Sequence, residues 1–176
     1  WQGPTPLSVQ LQAPCCASQA LGLTFHLGWG QTTVALSDSH FGGSAEVLAG
    51  LGAPWNTLGL QGQLQLDSEK LSLTLAEGRL QINGQAVLQA LDISSKLSTL
   101  QPLGSYQMTL SGGGSPKLNL NTLNGHLFLD GEGTWVAGQL HFHGQAKAAA
   151  ERESALNNLL NVIGQREGDH ARISLG

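Results

Sequence analysis

Leu60-Gln61-Gly62-Gln63-Leu64-Gln65-Leu66 sets leucine against glutamine at alternate positions, with one glycine in the leucine register. Period two is the mark of a strand with one face on a core and the other in water. A helix of the same residues would spread its leucines around the whole circumference. After Asp67-Ser68-Glu69-Lys70 the alternation resumes with Leu71, Leu73 and Leu75. The polar tetrapeptide therefore reads as a turn and the pair of segments as a hairpin. Glu77-Gly78 and Asn83-Gly84 are the next turns, the second a strong hairpin signal because Asn and Gly both tolerate positive φ.

The same alternation extends in both directions. Upstream, Leu7, Val9 and Leu11 alternate with Ser8, Gln10 and Gln12, and Leu21, Leu23, Phe25 and Leu27 with Gly22, Thr24 and His26. Downstream, Tyr106, Met108 and Leu110 run into the breaker Gly112-Gly113-Gly114-Ser115-Pro116. Leu118 and Leu120 lead on to Leu123, Gly125, Leu127 and Leu129, then to an Asp130-Gly131 turn. Trp135 precedes Gly138, and Leu140 and Phe142 alternate with His141 and His143 up to Lys147. Strands at this spacing make an all-β meander, not βαβ units.

One segment changes period. Leu156, Leu159, Leu160 and Ile163 fall at i, i+3, i+4 and i+7, a single apolar stripe on a helix. Ala148 to Ala150 are strong helix formers, Glu151 suits the N-terminal end of the dipole, and Gly164 sits where a left-handed residue ends a helix. A last short strand spans 171–175. The internal similarity of 60–66 and 123–129, both L-x-G-x-L-x-L, is either chance likeness of alternating strands or a true repeat. In either case a mid-strand glycine marks a bend or a close backbone approach. The expected fold is all-β: a strongly curved antiparallel meander sheet or partial barrel, with one short C-terminal amphipathic helix packed on it, in one domain over 1–176.

Composition narrows the function. Charged residues make up 11% of the 176, against about 25% in a typical domain. The net charge is -4 with 8 Lys+Arg, so neither a phosphate-binding surface nor a polybasic membrane patch is expected. No apolar run reaches the roughly 18 residues of a spanning helix. The chain starts at Trp1, which is read as a start inside a longer precursor. Cys15 and Cys16 are adjacent. Neighbouring alpha carbons stand about 3.8 Å apart, closer than a relaxed disulfide prefers, so two buried or half-buried thiols are the simpler reading. Their redox state stays open.

Chemistry is scarce. Most acids fall in turns or beside the helix, and no nucleophile elbow, H-E-x-x-H or P-loop is present. Asp38-Ser39-His40 holds triad-type residues, but adjacency in a chain does not make them converge. His141 and His143 share a strand face, with His126 on a nearby strand, and polar residues opposite Leu140 and Phe142 explain them more simply than a metal does. The tryptophans Trp1, Trp29, Trp55 and Trp135 read as core more than as the lining of an apolar pocket. No catalytic, cofactor-binding or metal residues are expected, and no enzymatic activity.

A resemblance adds to this. Pro102-Leu103-Gly104-Ser105-Tyr106, then Thr122-Leu123-Asn124-Gly125 with Leu127, Leu129, Gly131 and Gly133, carry it first. It continues through Trp135, Gly138, Leu140, Phe142 and Gly144 to Leu156-x-x-Leu159-Leu160-x-x-Ile163-Gly164, Gly168 and Ile173-Ser174-Leu175-Gly176, with Trp1-x-Gly3 and Leu51-Gly52-Ala53-Pro54 in the first half. In these positions the chain resembles the type II secretion system protein N family. The resemblance implies a periplasmic domain of a single-pass inner-membrane protein, trimmed of its anchor. It implies a non-enzymatic structural or adaptor role, linking inner-membrane platform proteins to the outer-membrane secretin. Those would be the partners, with the membrane reached only through an anchor absent from this chain, and with no nucleic acid and no small-molecule substrate expected. The alternative is a periplasmic carrier of a lipid or other apolar ligand in a β groove. The two differ in whether the concave face is filled by the helix or left open.

Overall fold

The computed structural model describes residues 7–11, 21–52 and 55–176. Cys15, Cys16, Trp1, Gly3, Ala53 and Pro54 lie outside them. The described chain forms one antiparallel sheet of 12 strands: β1 (Leu7–Leu11), β2 (Leu21–Gly28), β3 (Gln31–Leu36), β4 (Ser39–Ser44), β5 (Leu60–Ala76), β6 (Arg79–Ser95), β7 (Gly104–Ser111), β8 (Lys117–Gly125), β9 (Leu127–Val136), β10 (Gln139–Ala148), β11 (Gln165–Glu167) and β12 (His170–Leu175). A 3-10 helix (Ala45–Leu51) and a single-turn helix α1 (Trp55–Leu58) precede β5, and α2 (Glu153–Ile163) precedes β11. The spatial order is β1-β2-β3-β5-β6-β7-β8-β9-β10-β12-β11, with β4 paired to β5 off that path. The sheet is curved and does not close into a barrel, as the sequence predicts.

The segment that opens the sequence reading is where expectation and structure part. Asp67-Ser68-Glu69-Lys70 is no turn: it lies inside β5, a single strand of 17 residues. Asn83-Gly84 is no turn either, lying inside β6, also 17 residues long. The two signals face each other across the ribbon, where the β5–β6 register shifts between Glu69 and Ser72. They build one β-bulge, which bends and twists the ribbon without reversing it. Of the three turns read there, only Glu77-Gly78 reverses the chain. The bulge divides β5 between two neighbours, because β3 pairs with 72–76 and β4 with 63–68.

The two L-x-G-x-L-x-L segments share a glycine conformation and not an element. Gly62 and Gly125 hold φ of 132° and 129°, a region that a side chain rarely enters. A Cβ at Gly62 would sit 2.7 Å from the Leu91 carbonyl oxygen, and one at Gly125 2.3 Å from the Gly104 alpha carbon. In both copies the leucine two positions later, Leu64 or Leu127, is buried. The likeness stops there: Gly62 bulges within β5, whereas Gly125 ends β8 and 123–129 spans the β8–β9 reversal, so Asp130-Gly131, expected as a turn, lies inside β9.

The core lies on the inner face in three clusters. At one end α2 inserts Leu156, Leu159 and Leu160 among Leu58, Leu103, Leu127, Ala146 and Ala171. In the middle Ala45 and Leu48 of the 3-10 helix cover Leu64, Ile93 and Tyr106. At the far end Leu71, Ile82 and Ala86 pack with Trp135. The Tyr106 hydroxyl donates to the Leu127 carbonyl at 3.0 Å, and burial pushes its pKa up. Phe142 is buried because Gly131, Gly133 and Gly144 leave room for its ring: a Cβ on Gly131 would meet Phe142 Cζ at 2.4 Å.

Helix α2 starts later than its composition suggests. Ala146 and Ala148 are strand residues, paired with β9, and Ala146 pairs with β12 as well. Ladder pairing and burial outweigh helix propensity there. Gly164 is extended, with φ of -165°, and not left-handed; a Cβ there would sit 2.4 Å from the Arg172 carbonyl oxygen. The space beside β12 requires a glycine at this position. The Gly112–Gly114 breaker is tied at its start, Gly112 N–H donating to Gly84 O and Gly113 N–H to Ile82 O.

Candidate functional site

The state of the inner face separates an adaptor from a carrier. Leu156 and Leu160 expose none of their surface and Leu159 only 2%. Ile163 packs on the same cluster. Each buried leucine contributes about 1.5–3 kcal/mol by leaving water. Helix α2 therefore occupies the concavity at its end of the sheet, the 3-10 helix covers the middle, and Trp135, half-buried, packs on the far cluster.

Among the described residues, two open grooves of about 540 Å³ each lie on the outer face. The first crosses β8, β9, β10 and β12. Its walls are set by register: Asn119 opposes Glu132, Glu132 opposes His143, and Asp130 opposes Gln145, which opposes Arg172. The floor is the backbone at Gly131 and Gly144. Arg172 is already engaged, its Nη2 lying 2.8 and 2.9 Å from the Glu167 carboxylate oxygens. Ser174 Oγ stands 3.5 Å from His143 Nδ1, longer than the roughly 2.6–3.2 Å at which a base activates a hydroxyl. The second groove lies beside the β5–β6 bulge, between Asp38, Lys70 and Gly112.

Beside the first groove, Lys147 donates to Asp169, and His170 Nδ1 lies 3.0 Å from the same carboxylate. These two hydrogen bonds, Lys147's first, hold the Asp169 pKa down at about 2, and the same pairing raises that of Lys147. Asp169 is exposed, so the pair is solvent-screened and clamps the β11–β12 turn to β10 only weakly.

The residues with triad-type chemistry are placed apart. Ser39 Oγ meets Ser68 Oγ at 3.1 Å, while His40 pairs with Asp67 and Asp38 accepts from the Lys70 N–H. Strand alternation turns Ser39 and His40 to opposite faces. His141 and His143 oppose Thr134 and Glu132. His126 lies beyond the other end of β9, roughly 20 Å along the strand, its carbonyl accepting from Ala149. The three imidazoles are not brought together. Trp135 is a core residue, whereas Trp29 stands wholly in solvent, which period-two reading does not reveal.

The sheet's ends are the other feature. β11 pairs with β12 only at His170, Ala171 and Arg172. Ile173, Ser174 and Leu175 have β10 on one side and, among the described residues, no strand on the other. That length of edge carries no charge or proline to block pairing. No described helix is long and apolar enough to cross a membrane.

Comparison with known proteins returns one finding. The family model described as type II secretion system (T2SS), protein N matches residues 1–174. No curated protein and no solved structure matches the chain.

Proposed function

The chain belongs to the type II secretion system protein N family and so to the components of that machine, and on that premise we propose that it is a non-enzymatic adaptor, a periplasmic domain joining inner-membrane platform proteins to the secretin. The observation that carries the reading is the packing of α2 into the sheet's inner face. Leu156, Leu159 and Leu160 take the space that a lipid carrier would keep for its ligand. A strand edge free among the described residues offers the means of joining a partner. The Ile173–Leu175 edge offers N–H and C=O groups to an extended partner strand, a mode in which main-chain hydrogen bonds give affinity and alternate side chains give specificity.

The test is capture of this chain on the soluble periplasmic domains of the secretin and of each platform protein, followed by calorimetry. Saturable binding at about micromolar affinity, near -8 kcal/mol, is expected. Neighbouring N–H groups point to opposite sides of a strand, so one of Ser174→Pro and Leu175→Pro strikes the outer edge alone. That variant should lose binding while remaining folded. Unchanged binding in both would remove the edge from the reading. Absent binding to every partner, with lipid co-purifying in native mass spectrometry, would favour the carrier.

A further inference from the structure

Trp29 has no shelter: its relative exposure is 102%. It caps the β2–β3 hairpin between Gly28 and Gly30. Register brings other apolar side chains beside it. Leu27 opposes Thr32, and Thr32 opposes Leu75, so Leu27 and Leu75 lie on one face of the same three strands. Both are more than half exposed. Gln31 opposes Ala76, which places the β5–β6 turn at Glu77-Gly78 at this same end. The β9–β10 turn joins them, because a Cβ on Gly138 would lie 3.5 Å from the Gly78 carbonyl oxygen. Val136, leading into that turn, is again more than half exposed. Three hairpin tips thus gather at one end of the sheet. Their sequences are Gly28-Trp29-Gly30-Gln31, Ala76-Glu77-Gly78-Arg79 and Val136-Ala137-Gly138-Gln139. The charges on them are Glu77 and Arg79, which cancel.

We propose that this end is a bilayer-contact tip, with Trp29 seated at the headgroup level of a phospholipid surface and Leu27, Leu75 and Val136 around it. Three properties select a lipid surface over a protein. The apolar groups protrude as separate points on turns, and neither outer-face groove lies among them. A protein partner must match shape over roughly 800 Å² per side, whereas a fluid surface conforms to isolated protrusions. Indole, with an apolar body and one N–H, favours the interface between headgroups and acyl chains. The tip is also neutral within a chain of net charge -4, so attachment rests on apolar insertion and not on attraction to anionic lipid.

The experiment uses the 176-residue chain and phosphatidylcholine vesicles, with and without phosphatidylglycerol, at low and high salt. Expected are co-sedimentation that changes little with salt or anionic fraction, and quenching of tryptophan emission by brominated acyl chains. Trp29→Ala should weaken partitioning about tenfold or more, given the area of an indole. Trp29→Phe should retain part of the binding and lose the quenching. Phe128→Ala, exposed near the opposite end of β9, should change neither readout. Among the described residues Trp29 is fully exposed, so its variants are expected to stay folded. Absence of vesicle binding by the wild-type chain overturns the proposal, as does binding that Trp29→Ala leaves intact. Loss of secretin or platform capture in Trp29→Ala, with no wild-type vesicle binding, overturns it in favour of a protein contact. No secretion partner is present in the vesicle assay, so its outcome is independent of the adaptor reading.

Discussion

Gly125 and Gly114 are opposite in what they tolerate. Gly125 combines φ of 129° with a backbone contact that leaves no room for Cβ. Positive φ of this kind costs a side chain about 1–3 kcal/mol before any clash is counted. Gly114 has nothing within 4 Å of its Cβ position and no positive φ. Gly125→Ala should therefore destabilise by about 2 kcal/mol or more. Gly114→Ala should be neutral or stabilise by up to about 1 kcal/mol, by restricting the unfolded chain. Chemical denaturation of the two variants decides, and equal effects would refute the backbone reading of Gly125. The sequence exposes such a glycine only as an interruption of leucines. Whether it is kink, slot or loop depends on the strand beside it, as Gly131 shows by making room for the ring of Phe142.

At the scale of elements, the turn of β11 and β12 is held to β10 by the Lys147–Asp169 pair, and its pH dependence has a defined sign. Asp169 titrates at about 2 in the folded chain against 3.8 normally, so its contribution is full above the ordinary value and fades as pH falls towards 2. Lys147 is raised, so its contribution is full below its ordinary value and is lost only as pH rises past it, on the alkaline side. The difference in melting temperature between wild type and Asp169→Asn should be flat between about pH 5 and pH 9 and should shrink below pH 4. It should also narrow with added salt, both groups being exposed. A difference that persists unchanged to pH 2 would refute the assignment. Which elements were legible follows from where the deciding contact lies. Period two in Leu60–Leu66 and period 3.6 in Leu156–Ile163 are local, and both elements are present. Asp67–Lys70 and Asn83-Gly84 have the composition of turns, and only their meeting across the ribbon makes them a bulge. Ala148 has helix propensity but is buried and paired with Leu127 of β9, and the 3-10 helix at Ala45–Leu51 has too few turns to show a period. The apolar stripe of α2 announced a packed face, but not that it would occupy the concavity. Nothing in Gly28-Trp29-Gly30 marks its tryptophan as exposed, because exposure depends on what the rest of the chain fails to bring near.

For the whole molecule, we propose that the described chain unfolds as a single unit despite its three clusters. Leu60 and Leu129 pack against both the helix-end cluster and the middle one. β5 and β6 then run from the middle cluster, through Leu64 and Ile93, to the far one, through Leu71 and Ile82. A ribbon shared by neighbouring cores couples their stabilities, since neither core can lose it alone. Leu160 is fully buried at the helix end, and Leu160→Ala should cost about 2–5 kcal/mol. If the sheet is one cooperative unit, that loss must reach Trp135 in the far cluster. In a chain retaining Trp135 as its sole tryptophan, denaturation followed by fluorescence and by far-UV circular dichroism should give one midpoint, and Leu160→Ala should lower both signals equally. A fluorescence midpoint that stays put while the dichroism shifts would divide the chain into two units. An adaptor that spans two membrane complexes needs the first behaviour, because strain applied at the Ile173–Leu175 edge reaches the other end of the sheet only through a fold that does not come apart between its cores.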